Sequence, residues 1–161
     1  MKKEDIKDFA QSILIGFILA LAISLVIKPV RVVGVSMDNT LHNGQRLFVF
    51  RQAYIGDKSP KNNDIVVVDT DEFGKDKKII KRVIATEGQS LKIEGSDVYL
   101  DGKLLDEPYI KEQMNPEWDI YIEKIPENKI FIMGDNRNNS GDSRHIGLVD
   151  EKDVYGKVIG Y

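Results

Sequence analysis

Ser36 stands in VVGVSMDNTL (residues 32–41), Lys81 in KIIKRVIA (78–85) and Ser140 in MGDNRNNSGDSRHIG (133–147). A serine hydroxyl becomes a nucleophile when a neighbouring base takes its proton, and histidine is the usual base. The two histidines serve poorly: His145 follows Asp142 and Ser143 too closely for a triad within that segment, and His42 has no acidic orienting group nearby. Lysine is the other option, provided that it is neutral. Lys81 is flanked by Ile79, Ile80, Val83 and Ile84, and burial among such residues disfavours the ammonium form. Bringing a lysine from about 10.4 to about 8 costs roughly 3 kcal/mol, which a domain of this size can carry. The residues alone leave a second reading open, a lysine pointing outward from an apolar strand. Most of MGDNRNNSGDSRHIG reads as a polar loop held by side-chain to backbone hydrogen bonds and an Asp/Arg pair, in which Ser140 is able to donate and accept beside a lysine.

These residues need a scaffold. Short β-branched stretches, at 30–35, 46–50, 64–69, 79–85, 91–94, 98–100 and 129–133, are separated by Gly, Asn, Asp and Pro, and turns fall at 95–97 and 101–102. That punctuation predicts a mainly β, antiparallel domain. The charged segments 51–64 and 70–78 read as solvated connections. Before them, ILIGFILALAISLVI (13–27) carries no charge, residues 9–12 can extend it to the thickness of a bilayer, and Pro29 marks its end. The one Ala-x-Ala of this run, at Ala20 and Ala22, lies in its middle, so an uncleaved anchor is expected rather than a removed signal peptide. Lys2, Lys3 and Lys7 before the span, against Lys28 and Arg31 after it, lean toward an N-terminus inside and a domain outside. The expected division is residues 1–28 for tip and anchor and 29–161 for the β-rich domain.

With 161 residues and a net charge of −3, the chain has room for one anchored domain and gives no reason to propose nucleic-acid binding. The absence of cysteine excludes disulfides and thiolate metal sites, and two isolated histidines make a His-based metal site improbable.

The ordered set GVSMDNTL, NNDIVVVD, IIKRVIATEGQ, DGKLLDEPYI and MGDNRNNSGDSRHIG, behind an N-terminal anchor, resembles the bacterial type I signal peptidases in their short, single-anchor Gram-positive form. The resemblance covers nearly the whole chain and implies the β-sheet catalytic domain that these enzymes share with the self-cleaving repressors. It implies Ser36 as nucleophile, Lys81 as general base, Ser140 as the residue that orients the lysine, and Asp142 with Arg144 as a supporting ion pair. Val32, Gly34, Met37, Leu41, Ile79 and Ile80 would line shallow apolar pockets accepting small residues before the cut, as in Ala-x-Ala. The implied partners are secretory preproteins and the lipid bilayer; no cofactor or metal is implied, and the catalytic domain would lie outside the cell membrane. Four positions depart from the usual pattern: Asn39 and Glu87 stand in place of prolines, Gln45 and Gln89 in place of aspartates. Gly34 stands where some relatives carry a serine that helps bind the oxyanion; losing one such donor costs on the order of 3 kcal/mol if nothing replaces it. Three other readings are a serine/lysine repressor, disfavoured by the anchor, a specialised peptidase for pilin-like proteins, and a non-enzymatic peptide-binding domain.

Overall fold

The computed structural model describes residues 3–56, 58–75 and 77–161; Met1 and Lys2 of the basic start, and Asp57 and Asp76 of the two charged loops, lie outside the described residues. Helix α1 (Lys3–Val26) contains one stretch, Lys7–Val26, of 20 residues with mean hydropathy 2.4. At 1.5 Å per residue this is about 30 Å, the thickness of a bilayer core. Among the described residues most of its apolar side chains stay exposed: Phe9, Ile13, Phe17, Ile23 and Leu25 are each more than half exposed. The helix ends three residues before Pro29, because the chain passes straight into strand β1 (Ile27–Arg31), which pairs antiparallel with β2 (Arg46–Phe50) from Ile27↔Phe50 to Arg31↔Arg46. Pro29 therefore lies inside an edge strand, where a missing N–H costs no ladder bond on the open side.

The remaining strands are β3 (Ile65–Thr70), β4 (Lys77–Thr86), β5 (Leu91–Gly95), β6 (Asp97–Leu100), β7 (Lys103–Leu104), β8 (Trp118–Ile122), β9 (Lys129–Met133), β10 (Val149–Asp150) and β11 (Val154–Ile159), with a short helix α2 (Ser143–Ile146) between β9 and β10. They form a seven-stranded sheet in the order β1-β2-β11-β3-β4-β9-β10 and a four-stranded sheet in the order β7-β6-β5-β8. Every pairing is antiparallel, so the mainly β, antiparallel expectation holds. Strand β11 was not foreseen, yet it joins β2 to β3 in the middle of the large sheet.

Period-two alternation divides the core. Ile65 and Val67 pack with Val32, Met37, Leu41, Leu47 and Val49, whereas Val66 and Val68 pack with Ile79, Val83, Ile130 and Ile132. A third cluster, built on Ile84, Leu91, Ile93, Phe131 and Met133, ties the small sheet to the end of the large one. The two charged loops are not wholly solvated, since Tyr54 and Phe73 pack against the Val66 cluster.

Candidate active site

The chain leaves β1 at Arg31, earlier than the predicted strand end at Val35. Val32 stays tied to the hairpin through its N–H to the Gln45 carbonyl (2.9 Å), but Gly34 has φ +95° and its N–H donates to Asn43 Oδ1 (3.0 Å). That left-handed position is open to glycine and strained for other residues. A tight turn follows, with the Leu41 N–H bonded to the Met37 carbonyl at 2.8 Å. The turn sends Met37 and Leu41 inward and leaves Ser36 at its rim.

Lys81 lies in β4 opposite Val66. Its Nζ is 2.7 Å from Ser36 Oγ and 3.1 Å from the Ile80 carbonyl, and the residue is only 3% exposed. The outward-pointing reading is thereby excluded. Burial pushes the Lys81 ammonium down to about 8; Asp142 and Asp135 oppose this, while Arg144 and Lys77 add to it.

The polar loop after β9 supports both residues. Asp142 and Arg144 form the expected ion pair, fully buried and doubly bonded, with Nε to Oδ1 at 2.9 Å and Nη2 to Oδ2 at 2.8 Å. Asp142 also caps α2 and accepts from the Gly134 N–H at 3.0 Å. Burial pushes its carboxyl up, but Arg144, the Gly134 N–H and the nearby Ser140 hydroxyl together hold it below the usual carboxylate range. Ser140 is not hydrogen-bonded to Lys81. Its Oγ is buried without a well-formed partner, wedged against Gly134, where a Cβ would collide with it and with the Ser36 carbonyl.

A cleft of about 610 Å³ opens beside the Ser36–Lys81 pair. Val32, Gly34, Met37, Ile79 and Ile80 line it, together with Val30, Phe73 and Gly141. Leu41 does not: it is fully buried behind Met37 with Leu47 and Val49, because the turn places it one helical turn deeper. Along the cleft, Lys77–Lys81 of β4 pair with β3 on one side only, since β9 begins pairing at Arg82. No described strand pairs with their other edge, and Val30 and Arg31 of β1 line the same cleft.

Sequence reasoning missed the second buried ion pair. Arg82, on the opposite face of β4 from Lys81, donates from Nε and Nη2 to the two oxygens of Asp135 at 2.8 and 2.7 Å, and Thr40 of the serine loop donates to the same carboxylate. Tyr109 stacks on Arg82 at 3.9 Å, and Arg137 pairs with Glu107. Asn136 holds the serine loop twice, through its N–H to the Ser36 carbonyl and its Nδ2 to the Val35 carbonyl, both at 3.0 Å. The signal was present in the sequence, as an arginine directly after the strand lysine and an Asp-Asn pair one glycine after an apolar strand. The departures are also accommodated: Gln89 Oε1 accepts from the Thr86 N–H and Asn62 Nδ2, and Glu87 accepts from the Asn128 N–H.

The model of one family, described as signal peptidase, peptidase S26, matches residues 6–160. The chain therefore belongs to the signal peptidase family, peptidase S26, and is a serine endopeptidase. Among individual relatives it is 38% identical to signal peptidase I of Bacillus licheniformis, over 96% of this chain and 87% of that protein, and 38% identical to signal peptidase I S of Bacillus subtilis, over 96% and 88%. It is also similar to the crystal structure of a signal peptidase I from Enterococcus faecalis, with TM-score 0.53 and 26% identity, covering 62% of this chain and 97% of that one.

Proposed function

We propose that the chain is a membrane-anchored signal peptidase I that cuts secretory preproteins after small residues, using Ser36 as nucleophile and Lys81 as the one general base. The observation that carries this reading is the 2.7 Å contact between Ser36 Oγ and a buried lysine pushed down to about 8. A neutral Lys81 amine accepts the hydroxyl proton as Oγ bonds to the scissile carbonyl carbon. The same nitrogen then delivers that proton to the leaving amine as the C–N bond breaks. In the second half a water gives a proton to Lys81 as its oxygen bonds to the ester carbonyl carbon, and the Lys81 ammonium returns that proton to Ser36 Oγ as the acyl C–O bond breaks, releasing the carboxylic acid.

The preprotein lies extended in the cleft, adding its backbone to the open edge of Lys77–Ile80 and to the segment after β1, with side chains alternating toward Val32, Met37 and Ile80. The narrow apolar walls favour alanine-sized residues one and three positions before the cut. The Gly34 N–H is engaged by Asn43, so the oxyanion rests on the Ser36 N–H, which bonds to no other described residue. Ser140 acts through packing, keeping Gly134 and Asp142 in register behind the lysine. Helix α1 spans the bilayer with its N-terminus in the cytoplasm and the β domain outside, which confines enzyme and preprotein to one thin layer.

The test is cleavage of a preprotein bearing an Ala-x-Ala site by the intact chain, Ser36→Ala and Lys81→Ala, with the new N-terminus identified. A cut after the second alanine, lost in both variants, is the expected result. Normal cleavage by Lys81→Ala would refute the mechanism, and an uncut set of such preproteins would refute the substrate class.

A further inference from the structure

Where α1 ends, a depression of about 440 Å³ opens that shares no lining residue with the Ser36 cleft. Leu25, from the last turn of the helix, forms one wall, and Arg51, Gln52, Lys152 and Tyr155 form most of the rest. The arrangement is held by backbone: the Arg51 N–H donates to the Val26 carbonyl at 3.0 Å, and β11 carries Tyr155 beneath it. The Arg51 guanidinium lies 4.9 Å from the Tyr155 ring, to which Lys78 Nζ also comes within 4.3 Å. No carboxylate pairs with Arg51 among the described residues. The one acid in the lining, Asp69, is bonded to Lys78, and among the described residues Lys152 pairs with Asp150 alone, at 3.7 Å. Ile55, at the rim, is 62% exposed.

We propose that this depression binds the phosphodiester headgroup of an anionic phospholipid. The proposal rests on the reading of α1 as membrane-spanning, which sets Leu25 at the end of the hydrocarbon layer and the two cations at headgroup depth. Arginine with lysine at that depth supplies paired and point-charge contacts to a phosphate; Gln52 adds an amide donor, Tyr155 a ring under the guanidinium, and Ile55 an apolar contact with the acyl chains. The volume suits a small ligand. The free-phosphate alternative lacks the apolar wall of Leu25 and Ile55 as a reason.

The experiment reconstitutes the full chain in nanodiscs of equal parts phosphatidylglycerol and phosphatidylcholine and counts retained lipids by native mass spectrometry. The wild type is expected to retain phosphatidylglycerol in preference, on the order of tenfold. Arg51→Gln/Lys152→Gln should abolish that preference while cleaving a short soluble peptide normally, and Lys92→Gln/Lys103→Gln, on the small sheet, should keep it. As a check that needs no variant, rising ionic strength should erode the wild-type preference. Equal retention of the two lipids by the wild type, equal loss in the two double variants, or displacement of the lipid by inorganic phosphate at an ionic strength where sodium chloride leaves it bound would each overturn the proposal. A chain that fails to enter nanodiscs at all would overturn the membrane reading and the headgroup site with it, and that failure is seen before any lipid is counted.

Discussion

The backbone N–H of Asn136 donates to the carbonyl oxygen of Ser36 at 3.0 Å, joining two residues a hundred positions apart. The same residue's Nδ2 holds the Val35 carbonyl, so the rim of the cleft is fixed from the polar loop rather than by its own strand. Asn136→Ala keeps the first bond and removes the second. Steady-state kinetics on a soluble peptide should show kcat lowered by on the order of tenfold to a hundredfold with KM nearly unchanged, and denaturant unfolding should show a loss of about 1 kcal/mol. An unchanged kcat would mean that the backbone bond alone positions the loop.

Two glycines separate tight packing from the positioning of Ser36. A Cβ on Gly134 collides with the Ser36 carbonyl, which is backbone, whereas a Cβ on Gly141 meets the Phe73 ring at 2.6 Å. Gly134→Ala should therefore lower kcat steeply and resist rescue. Gly141→Ala should be milder, and Phe73→Ala should restore it in a double-mutant cycle; additive losses would deny the contact.

The pH dependence follows from Lys81. Because its folded value is depressed to about 8, activity should climb roughly tenfold per pH unit below 8 and level off above it. Stability moves with it: below about 8 the fold carries a buried ammonium, and that cost fades as pH rises from 8 toward the unfolded value near 10.5, where the unfolded chain still binds the proton. Lys81→Met should abolish this alkaline gain and stabilise the protein near pH 7 by up to about 3 kcal/mol. Chemical denaturation of both proteins across pH 6–11 measures it, and parallel curves would contradict a buried lysine.

Arg144→Met leaves the Asp142 carboxylate buried with its chief partner gone. Breaking such a pair costs about 3–5 kcal/mol. Asp142 now lies below its ordinary value, so its contribution is present above about pH 4 and is lost as pH falls through the folded value. Removing Arg144 should move the acid limb of the unfolding curve to higher pH. An acid limb left in place would assign the pair no role in acid stability.

Truncation has a natural boundary at Val26 rather than Lys28, since Ile27 and Lys28 pair with Phe50 and Val49. A chain beginning at Ile27 should melt higher than one beginning at Pro29 and cleave a soluble peptide faster. Identical melting temperatures would show that β1 is dispensable to the sheet.

The residues around Lys81 left it open between a buried base and an outward-pointing strand lysine; the ordered set of motifs, by its resemblance to the signal peptidases, was what paired it with Ser36. What escaped depends on distant partners. Strand β11 reads VYGKVI, interrupted by Gly and Lys, and its place between β2 and β3 comes from residues some hundred positions earlier; only there does Gly156 lie where a Cβ would meet the Phe50 carbonyl at 2.7 Å. Arg82 drew no reading from the sequence, because only strand alternation puts it against Asp135 on the other face of β4. Leu41 was placed in the cleft by resemblance, but one turn of backbone rotation buries it.

The uninterrupted passage from Val26 into β1, pinned by the Arg51 N–H, makes the joint between helix and sheet a stiff lever rather than a tether. A spanning helix in a bilayer thinner than its apolar length tilts, and here the tilt would carry the whole sheet with it, swinging Ser36 toward or away from the lipid surface. On the proposed membrane-spanning reading, acyl-chain length should shift which peptide bond of a membrane-held substrate arrives at the Ser36 hydroxyl, a selection by altitude as well as by sequence.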